Sequence, residues 1–235
     1  MRASECLAAA ALTVACASSL AAGETLHDLA GFNRISASDG IKVEVFSGSD
    51  YSVVSDVSGT ARESRLIVSQ DGDTLTIKRK GRSSMLLMGM ADYYSVTVHL
   101  PELTAILAHR GVDVEVSGTF PDKFSATTSS GADLDIDGLD TAEVFLKASS
   151  GSDLDARGTC VTLEVQASSG SDIDAEELEC RDVRAKASSG SDIEVHLTGT
   201  LNARASSGSD IDVEGTPKDV SVEESSGGDV SLPGA

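Results

Sequence analysis

A five-residue motif, Ser-Ser-Gly-x-Asp, recurs along the C-terminal half of the chain and constrains the fold more than any other feature. Successive copies lie 20, 19, 20, 18 and 19 residues apart, with their glycines at Gly131, Gly151, Gly170, Gly190, Gly208 and Gly227. A degenerate copy, His109-Arg110-Gly111-Val112-Asp113-Val114, precedes the first one by another 20 residues. A repeat of this length indicates one supersecondary unit stacked on its neighbours, as in a solenoid.

Apolar residues flank each motif with a period of two. In one copy, Val144, Leu146 and Ala148 alternate before the serines, and Leu154 and Ala156 alternate after the glycine. This period is typical of strands with one inward face. We therefore predict an all-β parallel β-helix with coils of about 20 residues over residues 102–235. Equivalent residues of successive coils should form one inward column: Leu134, Leu154, Ile173, Ile193 and Ile211.

The segments between the last inward residue of one strand and the first of the next vary from five to seven residues and are predicted to be turns. They contain Gly138, Gly158, Gly199 and Gly215, and turns tolerate insertions better than strands do. Residues 23–101 lack the motif but alternate in the same way at 41–46, 74–78 and 94–100. We predict that residues 23–101 are a β-rich N-terminal part that begins or caps the solenoid, because an open solenoid end needs cover.

Residues 1–22 resemble a targeting segment. A run dominated by small and apolar residues ends in Ser19-Leu20-Ala21-Ala22, which suits cleavage of a signal peptide better than it suits a transmembrane helix. This predicts export to the periplasm or the outer cell surface, with no transmembrane segment in the mature chain. An alternative is a lipoprotein, because Thr13-Val14-Ala15-Cys16 is similar to a lipobox in which Cys16 would be acylated.

Acidic residues dominate the charge of the chain. Asp and Glu number 38 against 18 Lys and Arg, so the formal net charge is -20, which argues against a nucleic-acid partner. Two outward acidic rows are expected: Asp133, Asp153, Asp172, Asp192, Asp210 and Asp229 in one, and Asp135, Asp155, Asp174, Glu194 and Asp212 in the other. Such rows either bind calcium or are a solvated face. The second reading is favoured, because charge runs are usually solvated.

Two further surface features leave alternatives open. Lys147, Lys186 and Arg204 form a partly basic row interrupted by Gln166, for which solubility is the simplest interpretation. The apolar stretch Met85–Met90 either caps the solenoid or docks a partner or lipid, and the cap is favoured because solenoid ends need covering.

The residues of this chain form no recognisable catalytic set. The histidines, His27, His99, His109 and His196, lack metal-ligand spacing. No Gly-x-Ser-x-Gly nucleophile elbow occurs outside the repeats, and no pair of carboxylates differs from the others in a way that indicates acid–base catalysis. We therefore predict no catalytic residue, no cofactor and no metal site. The competing class is a β-helix carbohydrate-active enzyme, a polysaccharide lyase or hydrolase, because parallel β-helices also host such enzymes.

Cys160 and Cys180 are predicted to form a disulfide. They are one coil apart, and each lies eight residues before its Ser-Ser pair, so they occupy equivalent positions in adjacent coils. Stacked coils place equivalent Cα atoms about 4.8 Å apart, which is within disulfide range. Export would supply an oxidising compartment.

The order of motifs over residues 29–232 resembles the bacterial putative auto-transporter adhesin, head GIN domain family. The resemblance is carried by residues 32–43 (FNRISASDGIKV), 71–77 (DGDTLTI) and 96–103 (VTVHLPEL), followed by the Ser-Gly-x-Asp repeats. It implies a right-handed β-helix exposed in the cell envelope, acting as an adhesin or as a surface binding or scaffolding module. It supplies no catalytic residues. The ligand, the partner and the choice between monomer and homo-oligomer are not indicated.

Overall fold

The computed structural model describes residues 23–59, 63–81, 92–118 and 120–234, and strands make up most of them. The predicted signal peptide, Cys16 and the Met85–Met90 stretch lie outside these residues. One short 3-10 turn, Glu63–Arg65, is present. The strands are β1 Glu24–His27, β2 Arg34–Ser38, β3 Lys42–Ser47, β4 Ser52–Gly59, β5 Leu66–Asp71, β6 Thr74–Arg79, β7 Asp92–Leu100, β8 Ala105–His109, β9 Asp113–Ser117, β10 Lys123–Ser129, β11 Asp133–Ser149, β12 Asp153–Ser168, β13 Asp172–Ser188, β14 Asp192–Leu197, β15 Thr200–Ser206, β16 Asp210–Gly215, β17 Asp219–Ser225 and β18 Asp229–Ser231.

The strands of successive coils pair in parallel, as the repeat predicts. The first half of β11 pairs with β9 and β12, and its second half pairs with β10 and β12. The predicted inward column is confirmed, because its members are direct register partners and are at most 2% exposed: Leu134, Leu154, Ile173, Ile193 and Ile211. The interior is a single stack of such columns along the solenoid axis.

The N-terminal strands join the solenoid out of chain order. The coil formed by β2 and β3 lies between a coil formed by β6 and β7 and the coil formed by β8 and β9: Ile35, for example, pairs with both Leu75 and Ile106. The turn between β2 and β3 has the backbone conformation of the later motif turns, with φ of 72° at Asp39 and 66° at Gly40. Strands β1, β4 and β5 are antiparallel additions at this end.

Each motif forms a turn with two consecutive residues in the left-handed region. In one copy φ is 62° at both Ser150 and Gly151. The turns also stack, since the Gly151 N–H donates to the Ser169 carbonyl at 3.2 Å. The x residue is serine in the central copies and is completely buried: Ser152, Ser171, Ser191 and Ser209. The Ser152 hydroxyl accepts from the Ser149 N–H at 3.1 Å and donates to the Ser149 carbonyl at 3.0 Å, so no buried hydroxyl is left unbonded there.

The predicted turns at Gly138 and Gly158 are wrong, because β11, β12 and β13 run continuously through these segments. The strands instead bend at register irregularities, between Ile136 and Leu139 in β11 and between Asp155 and Gly158 in β12. Neighbouring coils bend at the same place, so their backbone groups still find partners. Gly158 has φ of 136°, and a Cβ there would lie 2.1 Å from the Leu139 carbonyl oxygen. Gly199, by contrast, does lie in a turn between β14 and β15.

No helix in the described ranges is long and apolar enough to cross a membrane.

Candidate binding surfaces

Period-two alternation and parallel stacking together give the solenoid outward rows of side chains. We call the outward rows of the strands that follow the motif turns the acidic face. The predicted acidic rows are in register from coil to coil, and both extend toward the N-terminal strands. One row is Asp113, Asp133, Asp153, Asp172, Asp192, Asp210 and Asp229, and the other is Glu44, Glu115, Asp135, Asp155, Asp174, Glu194 and Asp212.

Three carboxylates on the acidic face resist ionisation. Burial, a hydrogen bond to Asp135 and the charges of Asp135 and Asp174 together raise the pKa of Asp155 to about 6. Burial and neighbouring carboxylates also raise the pKa values of Asp133 and Glu194. Since like charges opposite one another on a sheet are destabilising, the acidic face costs the fold stability at neutral pH.

Two cations partly neutralise the acidic face. Lys42 Nζ lies 2.9 Å from Glu115 Oε1, and Arg157 Nε lies 2.7 Å from Glu177 Oε2. Arg157 also contacts Asp137 at 3.3 Å. Farther along the face, the carboxylate oxygens of Asp174, Glu176 and Glu194 lie within 4.8 Å of one another, but all three residues are exposed. We assign no metal site to this group, because exposed carboxylates cluster on acidic surfaces without binding an ion.

The strands that precede the motif turns present a second surface, which we call the trough face. The partly basic row predicted from the sequence is confirmed by the register, which aligns Lys147, Gln166, Lys186 and Arg204 in successive coils. A parallel row runs beside it: Arg34, Ala105, Ser125, Phe145, Glu164, Arg184 and Asn202.

Three adjoining depressions form a trough along this face. The first has a volume of about 650 Å³ and extends from Arg34 to Glu164. The second, of about 290 Å³, also includes Glu164 and continues past Lys186 to Arg204. Lys186 and Arg204 then line the third, of about 550 Å³, which ends near Ser225. Because neighbouring depressions share lining residues, together they follow the solenoid axis.

The middle of the trough carries an excess of positive charge. Arg184, Lys186 and Arg204 line it, with Glu164 as the carboxylate among them. Arg184 and Lys186 make no ion pair with any residue that the structure describes, whereas Arg204 contacts Glu223 at 3.2 Å. The Glu164 carboxylate accepts a hydrogen bond from Gln166 Nε2 at 2.9 Å. A protein of net charge -20 thus holds a small cationic patch on a surface that also contains these depressions.

The histidines are not brought together. His27 is on β1, His99 on β7, His109 on β8 and His196 on β14. His27 lies 2.9 Å from the Ser55 hydroxyl, and the His99 ring stacks on Phe46. Burial lowers the pKa values of His27 and His109. Among the described residues, this arrangement gives no acid–base pair and no metal centre.

The predicted disulfide is present between Cys160 and Cys180. The two residues are direct register partners in β12 and β13, and their Cα atoms are 4.5 Å apart. They lie within paired strands rather than in the turns of variable length predicted between successive strands. The bond joins two adjacent coils whose backbones are already hydrogen-bonded.

The family model for the putative auto-transporter adhesin, head GIN domain, matches residues 31–217. The chain belongs to this family. No curated protein matches this chain. Solved structures of the same fold include a putative adhesin from Bacteroides fragilis, with 17% identity, a TM-score of 0.77, and coverage of 88% of this chain and 95% of the other.

Two other solved structures share the fold at low identity. A putative lipid binding protein from Parabacteroides distasonis has 13% identity, a TM-score of 0.66, and coverage of 88% of this chain and 95% of the other. A putative adhesin from Parabacteroides merdae has 14% identity, a TM-score of 0.65, and coverage of 88% and 94%. At such identities these likenesses describe the fold alone.

Proposed function

We propose that the protein is an exported, non-enzymatic, adhesin-like module that binds a ligand in the cell envelope or at the cell surface. The observation that carries this proposal is the regularity of the two faces. Their side chains repeat in register over many coils, and no described group of residues converges on one point as a catalytic site requires. Such a surface suits extended, repeated contact, and family membership supports the adhesin-like role.

The competing proposal is a carbohydrate-active enzyme that uses the trough. In its favour, the first depression is lined by Phe145, Glu143 and Glu164. Both carboxylates are engaged elsewhere, however: Glu143 contacts Lys123 Nζ at 2.8 Å, and Glu164 accepts from Gln166. A general acid needs a carboxyl that can reach the substrate, whereas these two are held by neighbouring side chains. Release of reducing ends from an acidic polysaccharide would support the enzyme instead.

Export rests on residues 1–22. The test is the N-terminus of the protein recovered from its native cells, together with its exposure to a protease added to intact cells. We expect a mature chain that begins near Gly23 and lies outside the cytoplasmic membrane. If the chain is on the outer surface, the added protease should cleave it in intact cells. An N-terminal acylated Cys16 would establish the lipoprotein alternative. A chain that retains Met1 and sediments with cytoplasmic markers would refute export.

A further inference from the structure

The cationic residues of the trough are closely spaced and face one another. Lys186 and Arg204 are direct register partners in adjacent coils, so their Cα atoms are about 4.8 Å apart. Like charges opposite one another on a sheet are destabilising. Arg184 lies two residues before Lys186, on the same side of β13. Glu223 pairs with Arg204 and Glu164 lies opposite Arg184, so these two carboxylates offset part of the repulsion. A ligand carrying negative charge would relieve the remainder, which is centred on Lys186.

The rest of the lining indicates the kind of anionic ligand. The central depression contains the amides of Gln166 and Asn202 beside the guanidinium groups of Arg184 and Arg204. Planar amides and guanidinium groups hydrogen-bond to hydroxyls and carboxylates with defined geometry. The Phe145 ring lies in the adjoining depression and offers an apolar surface against which the face of a sugar ring can pack. Charge, hydroxyl recognition and an aromatic surface together fit an acidic glycan.

The shape and the amount of charge favour a linear glycan over other polyanions. The trough follows the solenoid axis, so an extended chain can lie in it across several coils. Duplex DNA carries one negative charge per about 1.7 Å of its axis, far more than this small patch can neutralise beside a net charge of -20. A glycan with one charge on every sugar or two has a lower charge density. The repulsion from the acidic face is screened over about 8 Å at physiological ionic strength.

A second copy of the protein is a poorer occupant. Its acidic face has complementary charge, but two chains of net charge -20 repel each other. We therefore propose that the trough binds a linear acidic glycan along the solenoid axis, with its carboxylate or sulfate groups at Arg184, Lys186 and Arg204. This inference rests on the proposed function and names the chemical class of its ligand.

The test is calorimetric titration of the purified protein with four defined polymers. Polygalacturonate carries carboxylates, dextran sulfate carries sulfates, dextran is a neutral glycan, and poly-L-glutamate is an anionic chain without sugars. We expect saturable, salt-sensitive binding of polygalacturonate, dextran sulfate or both, and the stronger one identifies the anionic group. We expect no binding of dextran. Poly-L-glutamate that binds as tightly as the glycans would overturn the glycan assignment, and failure of both acidic glycans to bind would overturn the proposal.

Matched variants locate the site. Lys186→Glu is expected to weaken glycan binding about tenfold or more, which corresponds to about 1.4 kcal/mol. Lys218→Glu makes the same charge change at an exposed turn beside β17. Its affinity for the glycan should stay within about twofold of the parent protein's affinity. Equal losses in the two variants would mean that net charge alone governs binding. Phe145→Ala, with its fold checked by circular dichroism, should weaken glycan binding while leaving any weak poly-L-glutamate binding unchanged.

Two further outcomes would overturn the inference without ambiguity. If sedimentation shows self-association that Lys186→Glu abolishes, the trough holds a second copy instead of a glycan. If no acidic glycan binds but deletion of the protein still impairs adhesion, the glycan assignment fails and the proposed function stands. Retention of the protein in the cytoplasm would contradict the proposed function whatever the purified protein binds.

Discussion

Reduction of the Cys160–Cys180 disulfide should lower the free energy of unfolding by about 3 kcal/mol, the loop-closure value for a closed loop of this length. The two cysteines are 20 residues apart in sequence. The β12–β13 ladder continues on both sides of the bond, with Gly158 opposite Leu178 and Thr162 opposite Asp182. The folded coils should therefore stay in place after reduction, so most of the effect should arise from greater freedom of the unfolded chain.

The assay is urea unfolding followed by far-ultraviolet circular dichroism, for the oxidised protein and for the same protein kept reduced. A Cys160→Ala/Cys180→Ala variant is the control for lost packing, because Cys180 is only 1% exposed. We expect the reduced protein to unfold at lower urea and the variant to be no more stable than it. Non-reducing mass spectrometry reports the bond directly. Coincident unfolding of oxidised and reduced protein, or two free thiols in the exported protein, would refute this reasoning.

Three further predictions concern the acidic face and the bends. If the acidic face is only solvated, millimolar calcium should shift the melting temperature no more than NaCl of equal ionic strength, and a saturable calcium-specific rise would contradict this. Because the raised pKa of Asp155, about 6, makes its ionised form costly in the folded state, Asp155→Asn should raise the melting temperature at pH 7.5. That gain should shrink at pH 5, below the folded pKa, where the wild-type carboxyl is itself mostly protonated; a gain independent of pH would exclude this cause. Gly158→Ala should destabilise by more than about 1 kcal/mol, because its Cβ would meet the Leu139 carbonyl oxygen, and by more than Gly72→Ala, where no atom lies within 4 Å; equal unfolding midpoints would refute the close approach.

The repeating coils could be predicted from the sequence because every coil contains the same short pattern of residues. Period two fixes which side chains face inward, and a constant spacing aligns them, so the column containing Leu154 and Ile173 follows directly. The same spacing placed Cys160 beside Cys180. These predictions needed only short-range patterns repeated at a fixed interval.

The bends and the N-terminal stacking order depend on long-range pairing, which no local pattern encodes. Gly138 and Gly158 look like turn residues, but their neighbours in adjacent coils keep the backbone paired. The stretch Ser38-Asp39-Gly40-Ile41 matches His109-Arg110-Gly111-Val112 in its glycine and in the apolar residue that follows it. Comparing these two stretches could have identified β2 and β3 as a coil. Their position between β6–β7 and β8–β9 could not have been read from the sequence.

The candidate binding surface was only half visible in the sequence. The repeat aligned Lys147, Lys186 and Arg204 in one row. A binding role for that row could not be predicted, because solubility was its simplest interpretation. The depressions of the trough lie between side chains of neighbouring coils. The register places Phe145 and Arg184 in one row. Phe145 and Arg184 each lie two residues before a member of the basic row, so the repeat could have aligned them as well, whereas the depressions between the rows depend on three-dimensional packing.

The measurement that tests the central claim most directly is adhesion of native cells to a surface coated with their own envelope glycans. It compares the parent strain, a deletion strain, and deletion strains that express either Lys186→Glu or Lys218→Glu at matched levels. The account predicts that deletion reduces cell retention under flow, that Lys218→Glu restores it and that Lys186→Glu does not. Equal retention of the parent and the deletion strain would contradict the account of this protein as an adhesin-like surface module.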